Sequence, residues 1–274
     1  MQLPNFSAVF AFFFDYSWQI GSRYLGVSML AFFGLWMLSK RRQAGSRPLP
    51  NAGKAKQLHR EFMYCVSTSV ICGSLAPVIL IAGLGRDLNF YADVSEYGWF
   101  YFIFSILLMI FVRDTVFYWE HRLMHVPKLF KHAHYVHHQS LQTTPLSGFS
   151  MHPLEAVFAA ALPYGLILFF VPKHPMAYLI FMWVDAAVGV VTHMGYEILP
   201  RGFSRHWLGR WIGTGTAHQL HHKHPRCNYG LYFLFWDRWM GTLSKEYDRR
   251  FDIAVGIEDG GKPVTPTGLE TVAK

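Results

Sequence analysis

Cysteine is scarce in this chain of 274 residues, occurring only at Cys65, Cys72 and Cys227. So few thiols exclude a disulfide framework, and no CxxC pair is present to make a zinc or redox motif. Cys65 and Cys72 fall in an apolar run and read as core or lipid-facing residues. Charge is scarce as well. Asp, Glu, Lys and Arg make up 15% of the chain, whereas 52% is hydrophobic and 17% aromatic. A soluble domain carries about 25% charged residues, so much of this surface meets something other than water. Acidic residues are outnumbered, 17 against 25 basic, for a formal charge of +8. The excess does not suggest nucleic acid, because no recognition motif accompanies it. It crowds instead into "SKRRQAGSR" (39–47), the pattern of a cytoplasmic membrane flank. Three common catalytic signatures are also missing. No HExxH is present, "GRWIGTGTAH" lacks the spacing of a dinucleotide fingerprint, and no GxSxG elbow occurs.

Long apolar runs are what the chain has in abundance. A spanning helix needs about 20 apolar residues, and residues 17–38, 62–85 and 97–119 qualify, with Arg23 snorkelling in the first. A fourth region is a pair, 154–171 and 176–194, split by "PKHP", whose two prolines make a turn. The pair predicts a tight helical hairpin, each half near the short limit for spanning, so that a shallow or re-entrant hairpin stays open. Loop 39–61 sets seven basic residues, Lys40, Arg41, Arg42, Arg47, Lys54, Lys56 and Arg60, against Glu61. Loop 86–96 sets Asp87, Asp93 and Glu96 against Arg86. The positive-inside rule places the first loop in the cytoplasm and the second outside. The N-terminal residues read as an interfacial lead-in without the basic region of a signal peptide. The expectation is an all-α integral membrane protein with about four transmembrane helices and a cytoplasmic helical cap. Its expected divisions are a membrane region 1–96, a catalytic region 97–244 and a loose cytosolic tail 245–274, loosest from Asp252 onward.

Histidine is concentrated in three places: "HRLMH" (121–125), "HAHYVHH" (132–138) and "HQLHH" (218–222). Counting spans forward puts all three on the cytoplasmic face. His121 and His125 are four apart and share a helix face. His134, His137 and His138 repeat the spacing of His218, His221 and His222. A lone HxxxH is usually a pair of surface or core histidines, but three clusters on one face are not explained that way. These eight imidazoles suit two ions with four ligands each, and paired metals are a recognised catalytic arrangement. His193 in "VTHMGYE" lies near the same face and is favoured as a ninth ligand over a helix-end carbonyl bond. His152, ahead of Pro153, reads first as a helix cap. His132, His206 and His224 flank the clusters out of register, and His59 and His174 lie elsewhere.

Two divalent ions held by neutral rings leave positive charge to offset. Carboxylates accepting the outer ring N–H are the usual means. Asp114, seven residues before His121, and Asp185, eight before His193, are in phase for this and are the candidate catalytic carboxylates. For Asp114 an ion pair with Arg113 or Arg122 is an equal alternative.

HX3H, HX2HH and HX2HH, in that order in a membrane protein, resemble the fatty acid hydroxylase/sterol desaturase superfamily. The likeness extends to "DTVFYWEHRLMH" (114–125), "HPLE" (152–155), "THMGYEILP" (192–200) and "NYGLYFLFWDRWMGT" (228–242), and is greatest to the sterol desaturase branch. The turn usually drawn as FGT is MGT here (240–242), a matter of packing. The resemblance implies a non-haem di-iron enzyme that uses O2 and two external electrons to hydroxylate or desaturate a lipid C–H bond. By motif matching His121, His125, His134, His137, His138, His218, His221 and His222 hold the two Fe ions, with His193 aligned to a further family histidine. Zinc can substitute. It implies a sterol, hopanoid, fatty acyl or carotenoid substrate. The remaining sequence accommodates no electron-carrying domain, so a separate donor, of cytochrome b5 or ferredoxin type with its reductase, is expected.

Two other readings stay open at this level. One is a zinc-dependent lipid hydrolase with Glu155 or Glu197 as base. The other is a non-enzymatic metal-binding membrane protein.

Overall fold

The computed structural model describes residues 6–41, 55–81 and 88–256. The basic stretch 42–54, Arg86, Asp87 and the end of the expected tail (257–274) lie outside them. Helices dominate, and the described residues contain no strand, only two isolated bridges, Phe90 to Lys173 and Ile212 to Phe233. The long helices are α1 (Phe6–Arg41), α2 (Ala55–Ile81), α3 (Gly98–Met124), α6 (Pro153–Phe170) and α7 (Pro175–Thr192). Between α3 and α6 come α4 (Pro127–Leu129), a π-helical turn (Phe130–His134) and α5 (Tyr135–His138). After α7 come α8 (Gly215–Lys223), α9 (Phe235–Trp239) and α10 (Tyr247–Ala254).

Among the described residues, α3, α6 and α7 are long and apolar enough to cross a membrane. At 1.5 Å per residue α3 extends about 40 Å and each hairpin helix about 27 Å. The chain is a membrane protein. Both hairpin helices begin alike. His152 and His174 precede a proline at the first helical position, and each Nδ1 accepts from the backbone N–H two residues on, at 3.2 and 3.1 Å. The proline has no N–H that needs an acceptor and fixes φ for the first turn, and the ring accepts from the next N–H along. At the turn, Lys173 is fully buried and donates to the carbonyls of Leu88, Leu168 and Val171, with its ammonium 4.3 Å from the Phe90 ring centre. Those carbonyls include the free end of α6, so this lysine caps the helix it follows. Burial lowers its pKa to about 8.

Several boundaries differ from the sequence reading. α1 is continuous from Phe6, so the expected lead-in is part of the first helix. α2 begins at Ala55, which puts Glu61 inside a helix and not in a loop. The tail expected from residue 245 does not begin as a loose segment. Tyr247 and Phe251, four apart on α10, are buried against Ala217, Leu220 and Leu234. A short amphipathic helix of alternating charge hides such a face poorly in sequence, since only two large apolar residues mark it.

Two further clusters fix the frame. Phe102, Met109, Ile167, Val171, Ala177 and Phe181 join α3 to the hairpin. Tyr24, Cys65, Leu146, Ala186 and Val190 join α1 and α2 to α7 and the segment after α5. That segment is pinned by Glu61, fully buried on α2, which accepts from Ser140 (2.7 Å), Ser147 (2.9 Å) and Thr144 (2.5 Å). A buried carboxylate is tolerated when several donors replace its water.

Candidate metal centre

The three clusters and His193 converge into two adjoining groups. His121, His125, His134, His138 and His221 form one, and His137, His193, His218 and His222 the other; within each, the ligand nitrogens all lie within 4.8 Å of one another. Each HxxHH cluster feeds both groups. Successive residues on a helix are about 100° apart, so His137 and His138 diverge, as do His221 and His222. The i, i+4 pairs stay together: 121 with 125, 134 with 138, and 218 with 222. The division is therefore five and four, not four and four, and His193, at the C-terminal end of α7, belongs with the four.

The ring nitrogens show what the groups can hold. Nδ1 of His121 faces the Tyr229 carbonyl at 2.8 Å, and Nδ1 of His134 faces Glu155 Oε1 at 2.7 Å. Both acceptors require N–H there, which leaves Nε2 of each neutral ring bare. Yet these two Nε2 atoms lie 3.0 Å apart. Two lone pairs at that distance repel unless a cation lies between them. His221 repeats the arrangement: Nδ1 faces the Cys227 carbonyl at 2.7 Å, while Nε2 is 3.1 Å from that of His125 and 3.0 Å from that of His138. In the second group Nδ1 of His193 faces the Gly189 carbonyl at 2.7 Å, and its Nε2 is 2.8 Å from His218 and 3.3 Å from His137. Ligands about 2.1 Å from one ion stand about 3.0–3.4 Å apart at octahedral or tetrahedral angles. The donor set fits a metal in each group.

Burial keeps these rings neutral and so ready to ligate. It lowers the pKa of His137 to about 4 and, with the neighbouring rings, that of His138 to about 2; His134, His193, His218, His221 and His222 are held well below their usual value, again chiefly by burial.

The two aspartates named from sequence do not bond a histidine. Asp114 Oδ1 accepts from the backbone N–H of Tyr232 (2.8 Å) and Phe233 (3.2 Å), tying the segment after α8 to α3. Asp185 lies 3.2 Å from Arg113 Nε and accepts from the hydroxyls of Tyr164 and Tyr232. Seven or eight residues are about two turns of helix, a rise of about 11–12 Å, too far for a carboxylate to reach the ring above. The carboxylate on a histidine is Glu155, which sequence reading considered only as a hydrolytic base. Its signal was present: a lone acid in the first turn of a helix otherwise apolar. Glu197 is engaged elsewhere, accepting from Thr216 N–H and hydroxyl (3.0 and 2.7 Å) at the start of α8.

The segment 228–242 is held by Asp237, fully buried, which accepts from the N–H groups of Tyr229 and Gly230 (2.8 Å each) and from the Thr242 hydroxyl (2.7 Å). That clasp sets the Tyr229 carbonyl against His121. Gly241 before Thr242 has φ 67°, the left-handed region suited to glycine, and the departure at Met240 leaves a side chain 40% exposed.

A cavity of about 350 Å³ runs from His134, His137, His193 and His218 to Phe90 and Phe169 near the turn between α6 and α7. Its walls come from α1, α2, α3, α6 and α7 and are mostly apolar, the usual make-up of a small-molecule site.

Residues 106–242 match the family model for fatty acid hydroxylase. A Delta(7)-sterol 5(6)-desaturase of Gibberella zeae is 32% identical over 153 residues, 56% of this chain and 45% of that protein. One from Aspergillus fumigatus is 29% identical over 82% of this chain and 73% of its own length. A lathosterol oxidase of Rattus norvegicus is 30% identical over 69% of this chain and 62% of its own. The chain thus spans between about half and three quarters of these relatives. No solved structure matches. With the family's model covering half its length, on the segment that carries all nine converging histidines, this chain belongs to the fatty acid hydroxylase family.

Proposed function

We propose that this protein is a membrane-bound non-haem di-iron oxidoreductase that hydroxylates or desaturates a C–H bond of a lipid, sterol-like or fatty acyl, with O2 and two electrons from a separate donor. The observation that carries it is the meeting of bare Nε2 atoms about 3 Å apart at the end of an apolar cavity. The three relatives named above, two sterol desaturases and a lathosterol oxidase, and the family itself, favour lipid oxidation over other metal chemistry. Iron bound there would supply the redox chemistry that activates dioxygen. The chain's own residues do the rest. Nine histidines hold the ions, and Glu155 and the three carbonyls fix the rings so that Nε2 points inward. The cavity walls keep water from the reacting carbon.

The hydrolase reading loses its bases, since Glu155 is bonded to His134 and Glu197 to Thr216 and Leu199 N–H. A cytoplasmic metal face and a docking donor of cytochrome b5 or ferredoxin type belong to the proposal, as does the division into a membrane region 1–96 and a catalytic region 97–244. The test is metal analysis with Mössbauer spectroscopy, then lipid turnover with and without a reductase system. Two irons per chain and a product that requires both O2 and reductant are expected. Stoichiometric metal with hydrolysis and no oxidation would overturn the reading.

A further inference from the structure

Arg113 lies in the middle of α3, in the wall of the same cavity, and is 5% exposed. It is held on three sides. Its guanidinium carbon is 5.1 Å from the Phe117 ring centre and 5.5 Å from that of Tyr164, and its Nε lies 3.2 Å from Asp185 Oδ1. The Asp185 contact is an ion pair without hydrogen-bond alignment, and both Nε and Nη1 lack an acceptor. A buried guanidinium N–H left without an acceptor costs stability, and here it belongs to a cavity built to receive something.

We propose that Arg113 is a specificity-determining residue that binds a neutral oxygen, alcohol or ketone, of the lipid. The inference rests on the lipid-oxidation reading for what enters the cavity. The chemistry of the neighbours decides the class. Asp185 is already used: one oxygen accepts from Tyr164, the other from Tyr232 at 2.5 Å. Both tyrosine protons are spent there, so the capacity left over in this cluster is donor capacity on Arg113, and a ligand group bound at this point must accept. An amine does not. Asp185 offsets the charge of Arg113, and Glu120 also acts on the same guanidinium. A free carboxylate would be a further negative charge beside those two, a like-charge cost in a low-dielectric site. A hydroxyl or carbonyl oxygen accepts an N–H without that cost. Arg113 stands eight residues before His121, about 12 Å along α3, so the anchored oxygen is set back from the metal ligands.

The experiment is equilibrium binding to the full chain in nanodiscs, with metal as isolated, using tritiated probes in pairs. The pairs are cholesterol with its 3-deoxy hydrocarbon and hexadecanol with hexadecane, with palmitate as the acid. At least one alcohol should bind tenfold or more tightly than its hydrocarbon, and palmitate should bind no better than hexadecanol. In the charge-neutral double variant Arg113→Gln, Asp185→Asn the alcohol preference should fall to about twofold or less, with hydrocarbon affinity, helix content and metal content retained. Equal binding of both alcohols and their hydrocarbons by the wild type overturns the proposal, as does preference for palmitate or a preference that survives in a folded double variant. The wild-type ratios decide even where the variant does not fold. Binding is read without turnover. A preparation that prefers alcohols but oxidises nothing counts against the lipid-oxidation reading alone, and one that oxidises lipids without the preference counts against Arg113 alone.

Discussion

His134 and Glu155 are bonded at 2.7 Å, Nδ1 to Oε1, with both side chains all but fully buried. This is the carboxylate–histidine contact that orients a metal-ligating ring and raises its basicity, and losing such a contact typically lowers metal affinity about 10–100-fold. Glu155→Gln keeps an acceptor oxygen but removes the charge. A drop within that range is expected, measured by chelator competition. Unchanged metal retention would remove Glu155 from the centre.

The five-and-four division predicts unequal loss of metal. His193→Ala removes one of four rings from the second group and touches none of the first. Metal content should fall from two ions per chain toward one. Loss of both ions together, or of neither, would show that the groups are not separate sites.

Asp237 acts at a distance. Asp237→Ala leaves two backbone N–H groups and the Thr242 hydroxyl without their acceptor. At about 1–3 kcal/mol for a buried group left unsatisfied, a loss of a few kcal/mol in stability is expected by thermal unfolding. Because the clasp positions the Tyr229 carbonyl, metal retention should weaken with it, though no ligand has been changed.

Gly148 is a contact site. A Cβ there would lie 2.6 Å from the Gly189 carbonyl oxygen, 2.7 Å from the Tyr24 hydroxyl and 2.8 Å from His193 Nδ1. Gly148→Ala should displace the His193 ring and reduce metal content more than Gly165→Ala, where nothing lies within 4 Å. Equal metal content in the two variants would count against the close packing of His193.

Acid should weaken the metal-free fold. His137 and His138 have folded pKa values of about 4 and about 2, below the unfolded value of about 6.5. Between these values the unfolded chain binds more protons, so stability falls as pH drops below about 6.5 and levels off once the folded pKa is passed. The unfolding midpoint of chelator-treated protein should be lower at pH 5 than at pH 8. A flat profile would mean that the rings bind protons in the fold as readily as in the unfolded chain.

Apolar run lengths and proline positions determined the helices α3, α6 and α7, because a lipid-facing helix must declare itself in composition. Histidine spacing determined the i, i+4 pairs, because those depend only on local helical geometry. Neither could decide which ring of a neighbouring pair joins which group. That choice was made by the tertiary packing that brings the rings of α5 and α8 to those of α3, with a π-helical turn before α5 shifting its phase. Nor could spacing tell Glu155 from Asp114 and Asp185 as the carboxylate on a histidine. All three lie near a histidine in helical phase, but only α6, which crosses beside the π-helical turn, brings an acid level with a ring. Arg113 likewise read as an ordinary partner for a nearby acid, until the packing of α3 against the hairpin enclosed it in a cavity with its N–H groups unmet.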